Sequence, residues 1–306
     1  MAAPGTHRGH RGARLVVLAP YLWLVLFFLV PFAMVARISL SQVALAQPPY
    51  LPVLDISAGL AGVREFLAGL SFENYALLGS DAIYLFSYLK SLQVATISTL
   101  ILLAVGFPMA YGMARAPRRW QPVLLMLVIL PFWTSFLIRV YAWINILQRE
   151  GLLNDALRML GLIDTPLTWL ATDTAIYIGV VYSYLPFMVL PLYAVLEKMD
   201  DTLLEAAADL GCPRWLAFWR VTVPLAMPGV MAGSLLCFIP VMGEFVIPDL
   251  LGGSGTMMIG QTLWLEFFSN KDWPVASALA VVLLALLVVP ILSYERLQQR
   301  TIEGDR

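Results

Sequence analysis

Two ionisable residues stand inside long apolar runs of this sequence and are its first candidates for chemistry. Arg139 lies in an apolar run that ends near residue 147, and Glu244 lies near the end of a later run. Asp249 follows Glu244 just beyond a proline. A charged side chain inside a bilayer is costly, so such residues are usually functional or paired. Because carboxylates attract cations, Glu244 and Asp249 are candidates for a cation pathway.

Aromatic residues in the first of these runs offer a second kind of cation contact. Trp133, Tyr141 and Trp143 lie in it, and the face of an aromatic ring attracts positive charge. Each candidate also has a structural alternative. The arginine and the glutamate could form an ion pair with each other. Trp143 could anchor its helix at the membrane interface, and Asp249 could be a rim residue that contacts a protein partner.

The sequence argues against the common enzyme and metal classes. It has no His/Glu zinc-binding helix, no Gly-x-Ser-x-Gly nucleophile motif and no carboxylates clustered for catalysis. Cys212 and Cys237 are too few for a disulfide framework and lie in unlike surroundings. His7 and His10 fall in a Gly- and Arg-rich tail, which favours a solvated segment. We therefore expect a chain that is not an enzyme and has no metal site.

The sequence also lacks a nucleotide-binding loop. A Walker A motif needs a glycine-rich turn followed by a lysine and a hydroxyl residue. The chain has only three lysines, at positions 90, 198 and 271, and none follows a glycine. The run Gly252-Gly253-Ser254-Gly255 lacks the lysine and is typical of a flexible turn. We expect the chain to bind no cofactor itself and no nucleic acid.

Composition places the candidate residues in a membrane protein. Of the 306 residues, 60% are apolar and 13% are charged, whereas a soluble domain carries about 25% charged residues. A bilayer-spanning helix needs about 20 mostly apolar residues. The first qualifying segment is too long for a signal-peptide core, and the nearest Ala-x-Ala lies too far downstream, so we interpret it as an anchor. Six segments qualify: 15–36, 91–113, 122–147, 175–196, 225–247 and 275–294.

The distribution of basic residues predicts the orientation of these spans, because Lys and Arg concentrate on the cytoplasmic side. With the amino terminus inside, twelve basic residues fall in inner segments: Arg8, Arg11, Arg14, Arg115, Arg118, Arg119, Lys198, Arg214, Arg220, Arg296, Arg300 and Arg306. Six fall in the longer outer segments: Arg37, Arg64, Lys90, Arg149, Arg158 and Lys271. The pattern predicts cytoplasmic tails at 1–14 and 295–306, a periplasmic segment at 37–90 and a five-helix core at 91–294.

One predicted inner loop, residues 197–224, has a spacing of its own. Glu205-Ala206-Ala207 is followed by Gly211 and, at the end of the loop, by Pro224. The alanines favour helix with little protruding bulk. Gly211 can adopt the left-handed conformation that ends one helix and leads to another, and a proline can open the fifth span. The loop resembles the Glu-Ala-Ala loop of ABC importer permeases, which implies that these five residues couple the chain to an ATPase.

The resemblance extends over most of the chain after residue 70, to the permease subunits of polyamine ABC importers and above all to the larger permease of putrescine importers. It is carried by five runs: Phe72–Tyr75, Pro131–Trp143, Tyr184–Pro191, Gly243–Gly253 and Asp272–Ser277. It implies an all-α type I importer permease of six transmembrane helices with cytoplasmic coupling helices, in the bacterial inner membrane. It also implies a second permease subunit, an ATPase dimer that binds ATP and Mg²⁺, and a periplasmic polyamine-binding protein.

Other readings of the same sequence stay open. The substrate could be putrescine, spermidine or another small cationic or polar solute. An ion-coupled secondary carrier would need a coupling-ion site in the middle of the membrane, and Arg139 and Glu244 are the only ionisable residues plausible there. Such a carrier would also leave the Glu205 loop unexplained. The sequence therefore favours an ATP-driven importer.

Overall fold

The computed structural model describes residue 18, residues 20–53 and residues 59–304, and most of these residues are helical. The predicted tail 1–14, with its histidines and arginines, and the terminal Arg306 lie outside the described residues. The helices are α1 Pro20–Ser39, α2 Gly59–Ala68, α3 Glu73–Ser80, α4 Ala82–Ala114, α5 Gln121–Trp133, α6 Phe136–Leu147, α7 Leu152–Met159, α8 Asp173–Leu196, α9 Thr202–Asp209, α10 Arg214–Met242, α11 Val246–Leu251, α12 Ile259–Trp264 and α13 Trp273–Gly304. Short turns at Ser254–Thr256 and Leu265–Ser269 flank α12.

The described residues contain five helices that are long and apolar enough to cross a membrane, and a sixth span if one bent pair counts as one. The five are α1, α4, α8, α10 and the part of α13 from Trp273 to Leu292. The all-helical fold class predicted from the apolar segments is therefore confirmed. The bent pair is α5 and α6.

The span predicted at 122–147 is not one straight helix. The axes of α5 and α6 meet at 89°. Pro131 lies in the last, 3₁₀-helical turn of α5, which ends at Trp133. The two residues after this turn, Thr134 and Ser135, leave the helical conformation, with ψ near 151° and 138°. Proline removes a backbone donor and crowds the preceding turn, so the helix stops there. Apolar length alone does not reveal such a bend.

The span predicted at 225–247 has different limits in the structure. Helix α10 begins at Arg214 and ends at Met242, so Pro224 does not open it. Instead, a π-helical turn at Phe218–Thr222 comes immediately before Val223 and Pro224. The wider turn accommodates a proline that would otherwise clash with the carbonyl one turn earlier. Glu244, predicted inside the span, lies beyond its end.

Contacts divide the chain into two units, and the first comprises the described residues up to Asp81 together with Leu265–Leu284. It holds a small antiparallel pair, β1 Gln42–Val43 and β2 Tyr50–Leu51. The buried amide of Asn74 donates to the carbonyl oxygens of Ser39 and Ser41 at 2.8 and 2.7 Å. The next residue, Tyr75, forms a 2.7 Å hydrogen bond with the Ser39 hydroxyl. The Phe72–Tyr75 run thus satisfies the end of α1.

The second unit, Ala82–Trp264 with the described part of 285–306, is built on the mutual packing of α4, α8 and α10. Small residues let these helices approach closely. A Cβ at Gly106 or Gly233 would lie 2.8 or 2.9 Å from atoms of Met188, and one at Gly229 would lie 3.0 Å from the Pro191 carbonyl oxygen. Since lipid is as apolar as the core, such packing is a main source of helix association in a membrane.

Asn154 organises the segment between α6 and α8. Its side chain is 1% exposed. The amide nitrogen donates to the carbonyl oxygens of Gln148, Arg149 and Leu167, and the amide oxygen accepts from the backbone of Leu167 and the indole of Trp169, all within 3.4 Å. One buried amide therefore satisfies both ends of this loop.

Candidate functional site

The 197–224 loop contains helix α9 and the first turns of α10, joined at a left-handed glycine. The turn at Gly211 agrees with the prediction, whereas the second helix is continuous with the fifth span. Helix α9 ends at Asp209, and Gly211 has φ +78°. The amide of Gly211 donates to the Ala208 carbonyl oxygen, and the amide of Cys212 donates to the Ala207 carbonyl oxygen, both at 2.9 Å. These two bonds define a Schellman motif, which satisfies the last carbonyls of a helix. The turn is held by its own backbone.

The exposed surface of this loop carries large apolar side chains beside its polar ones. Glu205 and Ala206 are exposed. Leu210 is 88% exposed and Trp215 is 67% exposed. Large apolar side chains rimmed by polar groups mark protein or membrane contacts. The loop therefore presents a contact surface, and the sequence motif did not identify Leu210 and Trp215 as parts of it.

The base of the loop is tied to the segment after α4. Arg115 forms an ion pair with Asp201, and its guanidinium carbon lies 5.5 Å from the Tyr111 ring centroid. The neighbouring Asp200 accepts a 3.0 Å hydrogen bond from the Thr202 amide, which lowers the pKa of that exposed carboxyl. Sequence analysis missed this ion pair because its partners belong to two different predicted inner loops. Both loops were predicted on the cytoplasmic side, and this shared location could have suggested a contact between them.

Glu244 is a buried and fully engaged carboxylate, 8% exposed. One carboxylate oxygen accepts from the Tyr184 hydroxyl at 2.5 Å, and the other accepts from the amides of Val246 and Ile247 at 3.0 and 3.4 Å. The chain leaves the helical conformation at Gly243, between α10 and α11, and we call this point the Gly243 break. A Cβ at Gly260 would clash with the Gly243 carbonyl oxygen, so α12 packs against the Gly243 break. Glu244 thus joins α8, the end of α10 and the start of α11.

The alternative that Arg139 and Glu244 form an ion pair is wrong for this structure. Arg139 donates to the Pro131 carbonyl oxygen at 2.5 Å, and its guanidinium carbon lies 5.0 and 5.9 Å from the ring centroids of Phe132 and Phe136. The Thr134 hydroxyl reaches the same carbonyl oxygen at 2.8 Å. The arginine therefore satisfies the backbone at the α5–α6 bend, eight residues before it along the chain.

The other proposed pathway residues are dispersed. Trp133 is 71% exposed and Tyr141 is also exposed, whereas Trp143 packs edge-on against Tyr182 with ring centroids 5.3 Å apart. Asp249 is exposed and accepts from the Gln261 amide at 3.3 Å. In the described part of the chain, no hydrogen bond, ion pair or ring contact joins any two of the six predicted residues.

A further ion pair joins two helices that sequence analysis did not connect. Lys90 on α4 and Asp173, the first residue of α8, lie 2.6 Å apart, and the lysine side chain is only 10% exposed. The two residues have opposite charges and each lies just before a predicted span, which could have suggested that they pair. The pair fixes the start of α8 against α4.

The arrangement is that of a transport subunit, and comparison with known proteins gives the class. Residues 103–303 match the family of inner membrane components of binding-protein-dependent transport systems. The chain belongs to this family. It is therefore a multi-pass inner-membrane permease component, not an enzyme, and its fold is that of the type I ABC importer permeases.

Relatives and solved structures agree over most of the chain. It is 43% identical over 226 residues to the spermidine/putrescine transport system permease protein PotB of Escherichia coli strain K12, covering 74% of this chain and 82% of the relative. It is 37% identical to PotB of Haemophilus influenzae over 95% of this chain and 96% of the relative. In structure it resembles a bacterial ABC transporter for import of the acidic polysaccharide alginate, with a TM-score of 0.67 at 16% identity over 94% of this chain and 95% of that one.

Proposed function

We propose that this chain is the membrane-spanning permease subunit of an ATP-driven importer for putrescine, spermidine or both. The observation that carries the proposal is the 37% identity to PotB of Haemophilus influenzae across nearly the full length of both chains. The acidic and aromatic residues singled out from the sequence are compatible with a cationic substrate. Uptake measurements with both polyamines decide which of the two is preferred.

The 197–224 loop is the proposed contact with the ATPase. Glu205, Ala206 and Ala207 lie on α9, Gly211 reverses the chain, and Pro224 lies within α10 after its π turn. The Arg115–Asp201 ion pair ties the loop to the end of α4. A short helix joined by a backbone-closed turn to a span can pass a displacement from one to the other. We assign these residues to coupling on that ground.

The assembly we propose contains this chain, a second permease subunit, an ATPase dimer that binds ATP and Mg²⁺, and a periplasmic binding protein. The family description and a bacterial alginate ABC transporter of the same fold, solved in complex with a pentasaccharide-bound periplasmic protein, support the last of these. The distribution of Lys and Arg supports cytoplasmic termini.

Reconstitution of the four components in proteoliposomes tests the function. We expect ATP-dependent uptake of radiolabelled putrescine or spermidine, with the preferred one identified by mutual competition. A lysine-to-alanine change in the Walker A motif of the ATPase should abolish uptake, and an ionophore that collapses ion gradients should leave it intact. Uptake that survives the first change and fails in the second would identify an ion-coupled carrier instead.

Cysteine labelling tests the orientation. Gly253 is a poor probe because a Cβ there would lie 2.6 Å from the Ala171 carbonyl oxygen, whereas a Cβ at Gly255 meets nothing within 4 Å. In a Cys212→Ser background, an impermeant maleimide added outside should label Gly255→Cys and should label Arg118→Cys only after permeabilisation. The reverse pattern would invert the proposed topology.

A further inference from the structure

We infer that a cavity enclosed by the 197–224 loop binds a phosphate group, with Arg115 and Thr222 as hydrogen-bond donors and Arg214 at its mouth. The cavity, which we call the loop cavity, has a volume of about 430 Å³ and lies between the end of α4, helix α9 and the first turns of α10. The inference goes beyond the proposed function, because it holds whatever solute the chain carries. None of these three residues was identified from the sequence as a ligand contact.

One face of α10 forms the long wall of the loop cavity. Arg214, Phe218 and Thr222 line it and recur every four residues, so they lie along one side of the helix. The wall includes the π-helical turn Phe218–Thr222, and such turns are rare and frequently lie at functional sites. On the opposite side, the Tyr111 ring packs edge-on against Phe218 with centroids 5.7 Å apart. This contact holds the end of α4 against α10.

Two residues that line the loop cavity have buried polar atoms without a hydrogen-bond partner in the part of the chain that the structure describes. The atoms are Nη2 of Arg115 and the hydroxyl oxygen of Thr222. Thr222 is fully buried. Buried polar groups nearly always have a partner, so an unpaired one indicates a position for a ligand or a water molecule. A guanidinium N–H and a hydroxyl can both donate to an oxyanion.

The charges around the loop cavity favour an anion. Arg115 and Arg214 line it together with one acidic residue, Glu205. Asp201 pairs with Nη1 of Arg115 and lies outside the cavity lining, so the Nη2 side of the guanidinium still faces no carboxylate. Arg214 forms no ion pair with any residue that the structure describes. The unpaired positive charge therefore lies on the cavity side.

The start of α10 adds to this attraction at the mouth of the cavity. The helix begins at Arg214, immediately after Pro213. The first amides of a helix have no partner within it, and this end of the helix carries partial positive charge, so it attracts anions. Because a phosphate group offers several acceptor oxygens, it can satisfy separate donors at once. The group can come from inorganic phosphate or from a lipid headgroup, since the cavity lies where three helices begin or end.

The native Cys212 can report on occupancy of the site. It lines the loop cavity and is partly exposed, whereas Cys237 is fully buried. In the full chain purified in detergent without the ATPase, inorganic phosphate should slow the reaction of Cys212 with a maleimide at least about threefold, because bound anion offsets the positive charge that activates a thiol. Chloride at equal ionic strength should not. Short-chain phosphatidic acid that protects at about tenfold lower concentration would assign a lipid headgroup, and equal potency would assign free phosphate; both results uphold the site.

Variants assign the donors through the phosphate concentration that gives half protection, which does not depend on basal thiol reactivity. Thr222→Val should raise this concentration about tenfold, the effect of losing one hydrogen bond to a charged group, and Thr222→Ser should stay near wild type. Arg115→Gln should also raise it about tenfold, whereas Asp201→Asn, which breaks the same ion pair but keeps the arginine, should not. Arg214→Gln should raise it about three- to fivefold. Its matched control is Arg220→Gln, an exposed arginine of the same helix outside the cavity lining, and this variant should behave like wild type.

Protection by chloride equal to that by phosphate would overturn the site, and so would one half-protection concentration shared by wild type, Thr222→Val and Arg115→Gln. If Arg115→Gln fails to fold, Thr222→Val and Arg214→Gln decide the outcome. If Cys212 does not react even without anion, the unfolding temperature decides instead. Phosphate should then raise it in wild type, because a ligand that binds the folded state stabilises it, and raise it much less in Thr222→Val. An equal rise in both, or none in wild type, would overturn the inference.

Discussion

The turn at Gly211 and the break at Gly243 both interrupt helices, but different interactions hold them. The first is closed by backbone hydrogen bonds among residues 207–212. The second depends on Glu244, whose carboxylate reaches the Tyr184 hydroxyl, 60 residues away in sequence. The comparison separates an interruption specified locally from one specified by the tertiary fold. We expect the two to fail differently when mutated.

Charge is handled differently in the two regions. Around the Gly211 turn, Asp200, Asp201 and Glu205 are exposed, and solvent supplies most of their stabilisation. At the Gly243 break, the carboxylate is buried and three protein donors replace water. Removing an acceptor from a buried set of donors leaves them unsatisfied, which costs more than losing an exposed contact.

The largest expected effect is therefore at the break. Glu244→Gln should destabilise the purified complex by about 2 kcal/mol, because a neutral amide cannot accept from all three donors without placing its own N–H₂ against one of them. Thermal unfolding in detergent measures the change, with the exposed Asp155→Asn as control. Tyr184→Phe should reproduce part of the loss.

A double variant sharpens this prediction. If Glu244 were paired with Arg139, neutralising the arginine as well would rescue Glu244→Gln, because the stranded charge would be gone. The observed contacts predict no rescue, since Arg139 bonds to the Pro131 carbonyl oxygen. Glu244→Gln with Arg139→Gln that unfolds at the wild-type temperature would contradict the contacts described here.

A smaller effect is expected at the turn, and it should appear in coupling. A side chain at Gly211 would meet no atom within 4 Å, so the cost of Gly211→Ala comes from its φ of +78° and is on the order of 1 kcal/mol. Gly211→Val should cost more. Stimulated ATP hydrolysis and transport should fall while the binding protein keeps its ligand affinity.

Gly112→Ala is the matched control for the turn. A Cβ at Gly112 would also meet no atom within 4 Å, but this glycine lies in α4 and has no positive φ. Its replacement should leave stimulation unchanged or slightly raise stability. Equal behaviour of the two alanine variants would show that the left-handed conformation of Gly211 is irrelevant to coupling.

The smallest effect should come from the ion pair at the base of the loop. Arg115 and Asp201 are partly and largely exposed, so their interaction should contribute less than about 1 kcal/mol. A double-mutant cycle with Arg115→Gln and Asp201→Asn should give a small coupling energy that decreases with added salt. A large, salt-independent value would mean that the pair becomes buried in the assembled transporter.

The sequence predicts features that depend on local residue patterns, and it does not predict features that depend on tertiary packing. The helical character of the apolar segments, helix α9 and the left-handed Gly211 depend on local patterns, and they appear in the structure, although the limits of the spans differ from those predicted. The Tyr184–Glu244 hydrogen bond depends on how α8 and α10 pack, which no local pattern encodes. The bend after Pro131 and the π turn before Pro224 are intermediate cases, because a proline signals a disturbance without revealing its form.

The arginine at the α5–α6 bend has a consequence for how independently the chain can hold its shape in the membrane. An interrupted helix in lipid needs partners for its freed backbone groups, and the Pro131 carbonyl oxygen finds them in Arg139 and Thr134 of the same chain. The bend therefore does not require a neighbouring subunit to satisfy that carbonyl. Contacts within one copy of the chain are therefore enough to hold the bent shape at this point.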